Sequence, residues 1–440
     1  MKRPNIIFIV ADDLGFADLG CYGGRDAAFG KVSPVLDQLA ANGLKFSDGY
    51  ANSPVCSPTR FGLMTARYQY RLRGAAEEPI NSKARASTTL GLPTTHPTLP
   101  SLLKEQGYRT ALIGKWHLGY PPAFGPLRSG YDEFFGPMAG GVDYFTHCAS
   151  TGAHDLWVGE EEQPHEGYLT DLISNKSVDF VKRMAQDTTQ PFFLSMHYTA
   201  PHWPWETRED HALAQTIKDN IFHLQGGNIH TYHRMIHHMD EGIGWVVNAL
   251  RETGQLDNTL IVFTSDNGGE RFSDNWPLVG GKMDLTEGGI RVPWIAHWPE
   301  GISKPGSTTA QHCMTMDWSA TLVDIGGGKA HVDYPFDGVS LKPLLANSEA
   351  TFERPLYWRM NHRGQRALRS GDWKYLRVDG NDYLFNVVVD ARERANLAKQ
   401  EPDRLEAMRS EWERWHSTMP PIPEDATISL GFSVKDMPQR

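Results

Sequence analysis

Three acids and an amide stand in two tight pairs, Asp12-Asp13 and Asp266-Asn267. Their donor atoms are all oxygen, which selects a hard dication such as calcium or magnesium and disfavours zinc. Each pair alone reads as a turn. Two such pairs, each directly after a buried strand, point to a metal. Cys56 begins the run Cys-Ser-Pro-Thr-Arg60, ahead of a helical stretch at 61–66. A cysteine at a helix N-terminus is expected to have a lowered thiol pKa. A single cysteine otherwise reads as a small buried hydrophobe. Ordinary cysteine hydrolysis needs a paired His and an acyl substrate, and a thiolate is a poor companion for a hard cation, so plain cysteine chemistry leaves the set unexplained. Lys115 and His117 lie in Gly-Lys-Trp-His-Leu-Gly, His202 in Thr-Ala-Pro-His-Trp-Pro, and Lys282 after Gly280-Gly281. A lone Lys or His on a loop is ordinarily solvated. These four are flanked by Gly, Pro or Trp, and two lysines and an arginine beside a dication suit a tetrahedral oxyanion.

Strands must carry these residues. The segment Asn5–Ala11 is apolar throughout, as a strand covered on both faces by helices would be. Similar runs recur at 110–113, 191–197, 260–264 and 292–297, the first three preceded by helical patterns at 99–106, about 169–185 and about 231–252. This alternation predicts an α/β fold with a large, mainly parallel sheet flanked by helices. The chemistry-bearing residues follow four of these strands, and in open α/β sheets ligands bind beyond the carboxyl ends of the strands.

The pattern changes near residue 350. Segments 355–360, 366–378 and 383–387, with turns at Ser370-Gly371-Asp372 and Asp379-Gly380-Asn381, predict short antiparallel strands followed by a helix at 402–416. We expect a catalytic domain over 1–350 and a smaller α+β subdomain over 351–440 with an irregular tail. Segment 428–432 is too apolar for a free end and is expected to pack on this chain or a neighbour, making a homo-oligomer an option. His230, His233, His237, His238 and Asp240 tempt a metal reading, but Met235, Ile236, Met239, Ile243, Val246, Val247 and Leu250 trace the apolar face of a helix through them, and a structural reading is preferred. Loop 140–147 leaves open a substrate contact through Asp143 or His147.

The chain has 440 residues, 40% of them apolar and 22% charged. That excludes a disordered chain, a fibre and a coiled coil. Lys and Arg number 43 against 53 Asp and Glu, a net charge of −10 without the basic footprint of a nucleic-acid binder. The four cysteines, at 21, 56, 148 and 313, are too scattered for a zinc site or a disulfide framework. No segment reads as a signal peptide or a membrane span, so the expectation is a cytoplasmic protein without a membrane partner.

The Cys-x-Pro-x-Arg element of Cys56, Pro58 and Arg60 resembles the signature of the type I sulfatases, in the alkaline phosphatase superfamily. It comes with Asp12-Asp13, Gly114-Lys-Trp-His117, His202, Asp266-Asn267 and Lys282 in the family's chain order, over nearly the whole chain. The resemblance implies that Cys56 is converted by a maturation enzyme to Cα-formylglycine, whose hydrate is the nucleophile. It implies that Asp12, Asp13, Asp266 and Asn267, with an oxygen of the modified Cys56, hold one divalent cation, calcium before magnesium or manganese. Arg60 and Lys115 would stabilise the hydrated aldehyde and His117 would take its proton. Lys115, Lys282 and His202 would contact the sulfate, with His202 and Lys282 assisting the leaving alcohol. The implied reaction is hydrolysis of aryl or other small organic sulfate esters.

Three other readings compete. A phosphonate monoester hydrolase or phosphodiesterase would use the same nucleophile and metal site. A two-zinc alkaline phosphatase would need a second, histidine-bearing ligand set. An unmodified protein could bind an oxyanion without turning it over.

Overall fold

The strand Asn5–Ala11 runs through the middle of a ten-stranded sheet, between Phe192–His197 and Thr259–Ser265, and is parallel to both. The structure, a computed structural model, describes residues 3–24, 30–72, 79–217, 221 and 226–422. Segment 428–432 and residues 74–78 lie outside these. Ile6 to Val10 are buried on both faces of the sheet, as their unbroken apolar run requires. Arg109–Gly114 continues the parallel set beyond Phe192–His197, and Glu133–Gly136 lies beside it, also parallel. Helices such as Leu169–Met184 and Ile229–Glu252 flank the sheet; the second buries Met235, Ile236, Met239, Ile243 and Leu250. Asp240, on this helix, accepts the Val35 and Leu36 amides at 2.9 and 2.8 Å and so caps the helix Pro34–Ala41.

The run at 292–297 forms a strand over Trp294–His297, antiparallel to both Thr259–Ser265 and Leu44–Phe46. The sheet is therefore mixed, although its centre is parallel. Among the described residues no helix is long and apolar enough to cross a membrane.

The C-terminal sheet has four antiparallel strands, Leu356–Met360, Gln365–Ser370, Trp373–Val378 and Asn381–Asn386. Their alternation serves two cores. Leu368, Tyr375 and Leu384 pack on Met408 and Trp412 of the helix Pro402–His416. Trp358, Met360, Ala367, Leu376 and Phe385 face the other way. They share a core with Tyr50, Val55, Met283, Leu285 and Ile290 from the main body of the protein.

A buried ionic cluster crosses the same junction. Lys374 Nζ lies 2.9 Å from Glu287 Oε1 and 2.9 Å from Glu393 Oε1, and Tyr50 donates to Glu287 Oε2 at 2.8 Å. Glu287 is held down to about 2: burial raises its pKa, but Lys374, Arg291 and Arg369 outweigh that. Truncating one partner of a buried ion set costs about 3–5 kcal/mol, because the others stay desolvated and unpaired. Lys374→Met is therefore expected to lower unfolding free energy by about that amount in a urea titration. A change below about 0.5 kcal/mol would show that the cluster is not holding the two parts together.

Candidate active site

Strand register brings the dispersed acids to one edge. Ala11 stands level with Ser265, Val10 with His197, and Gly114 with His197. The next residues along, Asp12, Asp266 and Lys115, therefore emerge together at the carboxyl ends of neighbouring strands. Backbone bonds extend the alignment one step: Asp266 N–H donates to Ala11 O at 3.1 Å and Lys115 N–H to His197 O at 2.8 Å. Asp13 (φ 63°) and His117 (φ 60°) adopt the left-handed conformation. It is unfavourable for residues with a side chain and is found where a site is held by its surroundings.

The helix Cys56–Thr65 is buried along its whole length. A spacing of four residues puts Cys56 and Arg60 on one helical face. Cys56 Sγ donates to Asp12 Oδ1 at 3.4 Å. Arg60 grips Asp266 Oδ2 through Nε and Nη2 at 3.2 and 2.9 Å, and donates through Nη1 to Lys115 O at 3.2 Å. The expected acidic thiol is not found. Burial, then the Asp266 charge, push the Cys56 thiol well above its ordinary pKa, despite Lys115 and Lys282. Desolvation beside carboxylates outweighs the helix N-terminus.

Two lysines close on the acids. Lys115 Nζ lies 2.5 Å from Asp12 Oδ2 and Lys282 Nζ 2.7 Å from Asp13 Oδ2. Asn267 Nδ2 donates to Asp13 Oδ1 at 2.7 Å. Burial works against the Asp13 charge, yet Lys282 and His202 hold its pKa down to about 2. Asp266 goes the other way, up to about 6, through burial and the neighbouring Asp12 charge.

The two histidines differ in which nitrogen is free. His117 Nε2 lies 2.8 Å from the Ile80 carbonyl and so carries the hydrogen; its Nδ1 is buried without a partner among the described residues. Burial and the Lys115 charge keep His117 neutral, well below its usual pKa. His202 Nδ1 donates to Trp203 O at 2.7 Å, leaving Nε2 3.5 Å from Asp13 Oδ2. Burial and Lys282 bring its pKa to about 3. Gly140 and Gly141 wall this side. A Cβ on Gly140 would come within 2.3 Å of the His117 ring, and one on Gly141 within 3.0 Å of His202.

The donor set fits a hard cation. One ligand atom each from Asp12, Asp13, Cys56 and Asp266 lie within 4.8 Å of one another. The buried Asn267 Oδ1 beside them has no partner among the described residues, the signature of an acceptor that awaits a positive group.

The structure thus brings all ten sequence-predicted residues into one buried cluster. It does not do so with Asp143 and His147. Asp143 is buried and accepts the Phe145 and Thr146 amides at 2.9 and 2.6 Å, so it shapes its own loop; His147 is buried behind it. Sequence reading missed Glu270, whose Oε2 lies 3.9 Å from Lys282 Nζ and whose pKa burial raises to about 7 against the pull of Lys282. It lines a recess with Trp203, Trp205, Tyr232 and Phe272 next to His202. Its place in Asp266-Asn-Gly-Gly-Glu270 was the one available signal.

Residues 4–328 match the family model described as Sulfatase. Human N-acetylgalactosamine-6-sulfatase is 33% identical over 379 residues, covering 81% of this chain and 68% of that protein. Mouse arylsulfatase J is 29% identical over 484 residues, covering 96% and 77%. The crystal structure of Ps i-CgsB in complex with k-i-k-neocarrahexaose superposes with a TM-score of 0.83 at 33% identity, over 94% of this chain and 93% of that one.

Replacing one carboxylate of the cluster should be read first in metal content. Asp266→Ala is expected to weaken divalent-cation affinity by more than about 100-fold, measured by elemental analysis after dialysis against graded free metal. Full occupancy in that variant would remove Asp266 from the ligand set.

Proposed function

The chain belongs to the sulfatase family and hydrolyses sulfate esters, and from that premise we propose that Cys56, converted to Cα-formylglycine by a maturation enzyme, is its nucleophile. The carrying observation is the position of Cys56, with its Sγ on Asp12 inside the carboxylate cluster. The hydrate of the aldehyde supplies two hydroxyls, one to attack sulfur and a second whose deprotonation returns the aldehyde and frees sulfate.

Asp12, Asp13, Asp266 and Asn267 would hold one divalent cation, calcium before magnesium or manganese, which supplies positive charge that makes a neighbouring hydroxyl easier to deprotonate. Within the protein the Asp12, Asp13 and Asp266 charges are already faced by Arg60, Lys115 and Lys282. A dication therefore leaves the site with a surplus of positive charge, matched to an anionic sulfate ester.

His117 is the base. Its Nε2–H is committed to Ile80 O, its Nδ1 lone pair is free, and its neutrality in the resting site keeps it ready to accept a proton. Arg60 and Lys115 stabilise the hydrated aldehyde. Lys115, Lys282 and His202 contact the sulfate. Lys282, kept charged by Asp13 even though burial opposes it, binds oxygen that gains negative charge. His202 directs Nε2 into the site, and a sulfate anion arriving there raises its proton affinity, which lets it serve the leaving alcohol together with Lys282.

The recess of Trp203, Trp205, Phe272 and Glu270 next to His202 is packed too closely to admit a water molecule, so it is a wall of the site and not the seat of the alcohol half. Relatives named for sugar sulfates support a sulfated sugar as the substrate class. A sulfated sugar is thus the substrate to test beside an aryl sulfate.

Two measurements test the proposal. Cys56→Ser, with a single hydroxyl, is expected to lose at least about 10³-fold in multiple turnover while remaining folded; turnover like wild type would defeat the two-hydroxyl mechanism. On matched aryl substrates, kcat/KM should favour the sulfate. A clear preference for the aryl phosphonate would replace this reading with a phosphonate monoester hydrolase using the same nucleophile.

A further inference from the structure

Lys282 sits in a long connection without regular structure, from Asp266 to the four-residue helix Glu287–Ile290. Gly280 (φ 78°) and Gly281 precede it, and Met283 after it is in the left-handed conformation, φ 78°. Backbone bonds hold this segment to the main body of the protein. Lys282 N–H donates to Gly269 O at 3.1 Å, within the same connection, and Met283 N–H donates to Pro54 O at 2.9 Å. Asp284 N–H also donates to Gly281 O at 2.9 Å and Asn275 Nδ2 to Gly280 O at 3.2 Å, which shapes the turn that carries Lys282, whose Nζ lies 2.7 Å from Asp13 Oδ2.

The C-terminal sheet adds a further hold. Gln365 opens the strand Gln365–Ser370 and is buried. Its Nε2 donates to Met283 O at 2.8 Å and its Oε1 accepts from Leu285 N–H at 2.8 Å. One amide therefore binds the first and third residues after Lys282, imitating a neighbouring strand. Nε2 also lies 3.2 Å from His362 O, which ties the clamp back to its own sheet. Two residues beyond Leu285, Glu287 N–H donates to Glu393 Oε2 at 2.7 Å. Met283 and Leu285 bury their side chains in the core of the C-terminal sheet, with Trp358, Met360 and Phe385.

We infer that Gln365, reaching across from the C-terminal sheet, is a positioning residue for Lys282: by clamping Met283 and Leu285 it sets where the Lys282 ammonium meets the sulfate. The inference rests on the reading of Lys282 as a sulfate contact. Of the bonds made by the Gln365 amide, two go to the first and third residues after the lysine.

The test is a double-mutant cycle on the matured, metal-loaded enzyme, with kcat/KM for an aryl sulfate as the readout and melting temperature recorded for every variant. Gln365→Met removes both hydrogen bonds at similar side-chain length. It is expected to lower kcat/KM by tenfold or more when Lys282 is present, and by less than twofold in the Lys282→Ala background, because the residue it acts through is then gone. An equal loss in both backgrounds would overturn the proposal and make Gln365 a general stabiliser. Wild-type activity in Lys282→Ala would instead overturn the reading of Lys282 itself, a distinct failure. Should Gln365→Met not fold, Gln365→Glu takes its place in the cycle; it keeps the acceptor for Leu285 and sets an oxygen against Met283 O. If neither variant folds, Gln365 belongs to the fold at large and the proposal falls.

Discussion

Three carboxylates, Asp12, Asp13 and Asp266, are held almost without solvent in one small volume. Removing a carboxylate from water costs several kcal/mol, and crowding three of them adds repulsion. Burial and the Asp12 charge push the Asp266 carboxyl up to about 6, in line with that penalty. The cluster persists because Arg60, Lys115 and Lys282 each engage one of the acids within 3 Å. These cations come from a buried helix, a strand end and a distant loop. Much of the architecture can be understood as what is needed to deliver them: parallel strands in register for the acids and Lys115, a wholly buried helix for Arg60, and a clamped loop for Lys282.

The same constraint explains the chemistry. A cluster balanced by side-chain cations alone is neutral; a dication added to it makes it attractive to an anionic ester. Within the protein alone, burial and the crowded carboxylates also raise the pKa of the Cys56 thiol placed among them. The C-terminal sheet shares in this. Its inner core includes Val55, the residue that caps the Cys56 helix, and Met283, the neighbour of Lys282. It therefore braces both flanks of the site, although none of the sequence-predicted site residues lies in it.

The sequence made the central strands legible, because 5–11, 191–197 and 260–264 are apolar runs too consistent to be anything but covered strands. It also made the site legible, since Asp12, Lys115, His202 and Asp266 all follow such runs. The reversed direction of Trp294–His297 was not legible: an apolar run looks the same in a parallel or an antiparallel neighbour. Edge strands of two residues, Trp157–Val158 and Glu161–Glu162, carry no periodicity to read. The acidity of Cys56 was misjudged because a helix N-terminus is visible in sequence and the desolvation that overrides it is not. Gln365 was invisible for a related reason, being 80 residues from the Leu285 amide it accepts.

The central claim is that Cys56 serves as a modified residue. The tryptic fragment spanning residues 46–60 carries it, bounded by Lys45 and Arg60. Mass spectrometry of that fragment from enzyme active on a sulfate ester, with an aldehyde-trapping reagent alongside, reads the residue directly. Conversion of the thiol to an aldehyde, the step that provides the stronger nucleophile, removes about 18 Da and creates a trappable group. The account predicts that signal, with activity proportional to the converted fraction across preparations. Full activity from protein whose Cys56 is entirely thiol would contradict it.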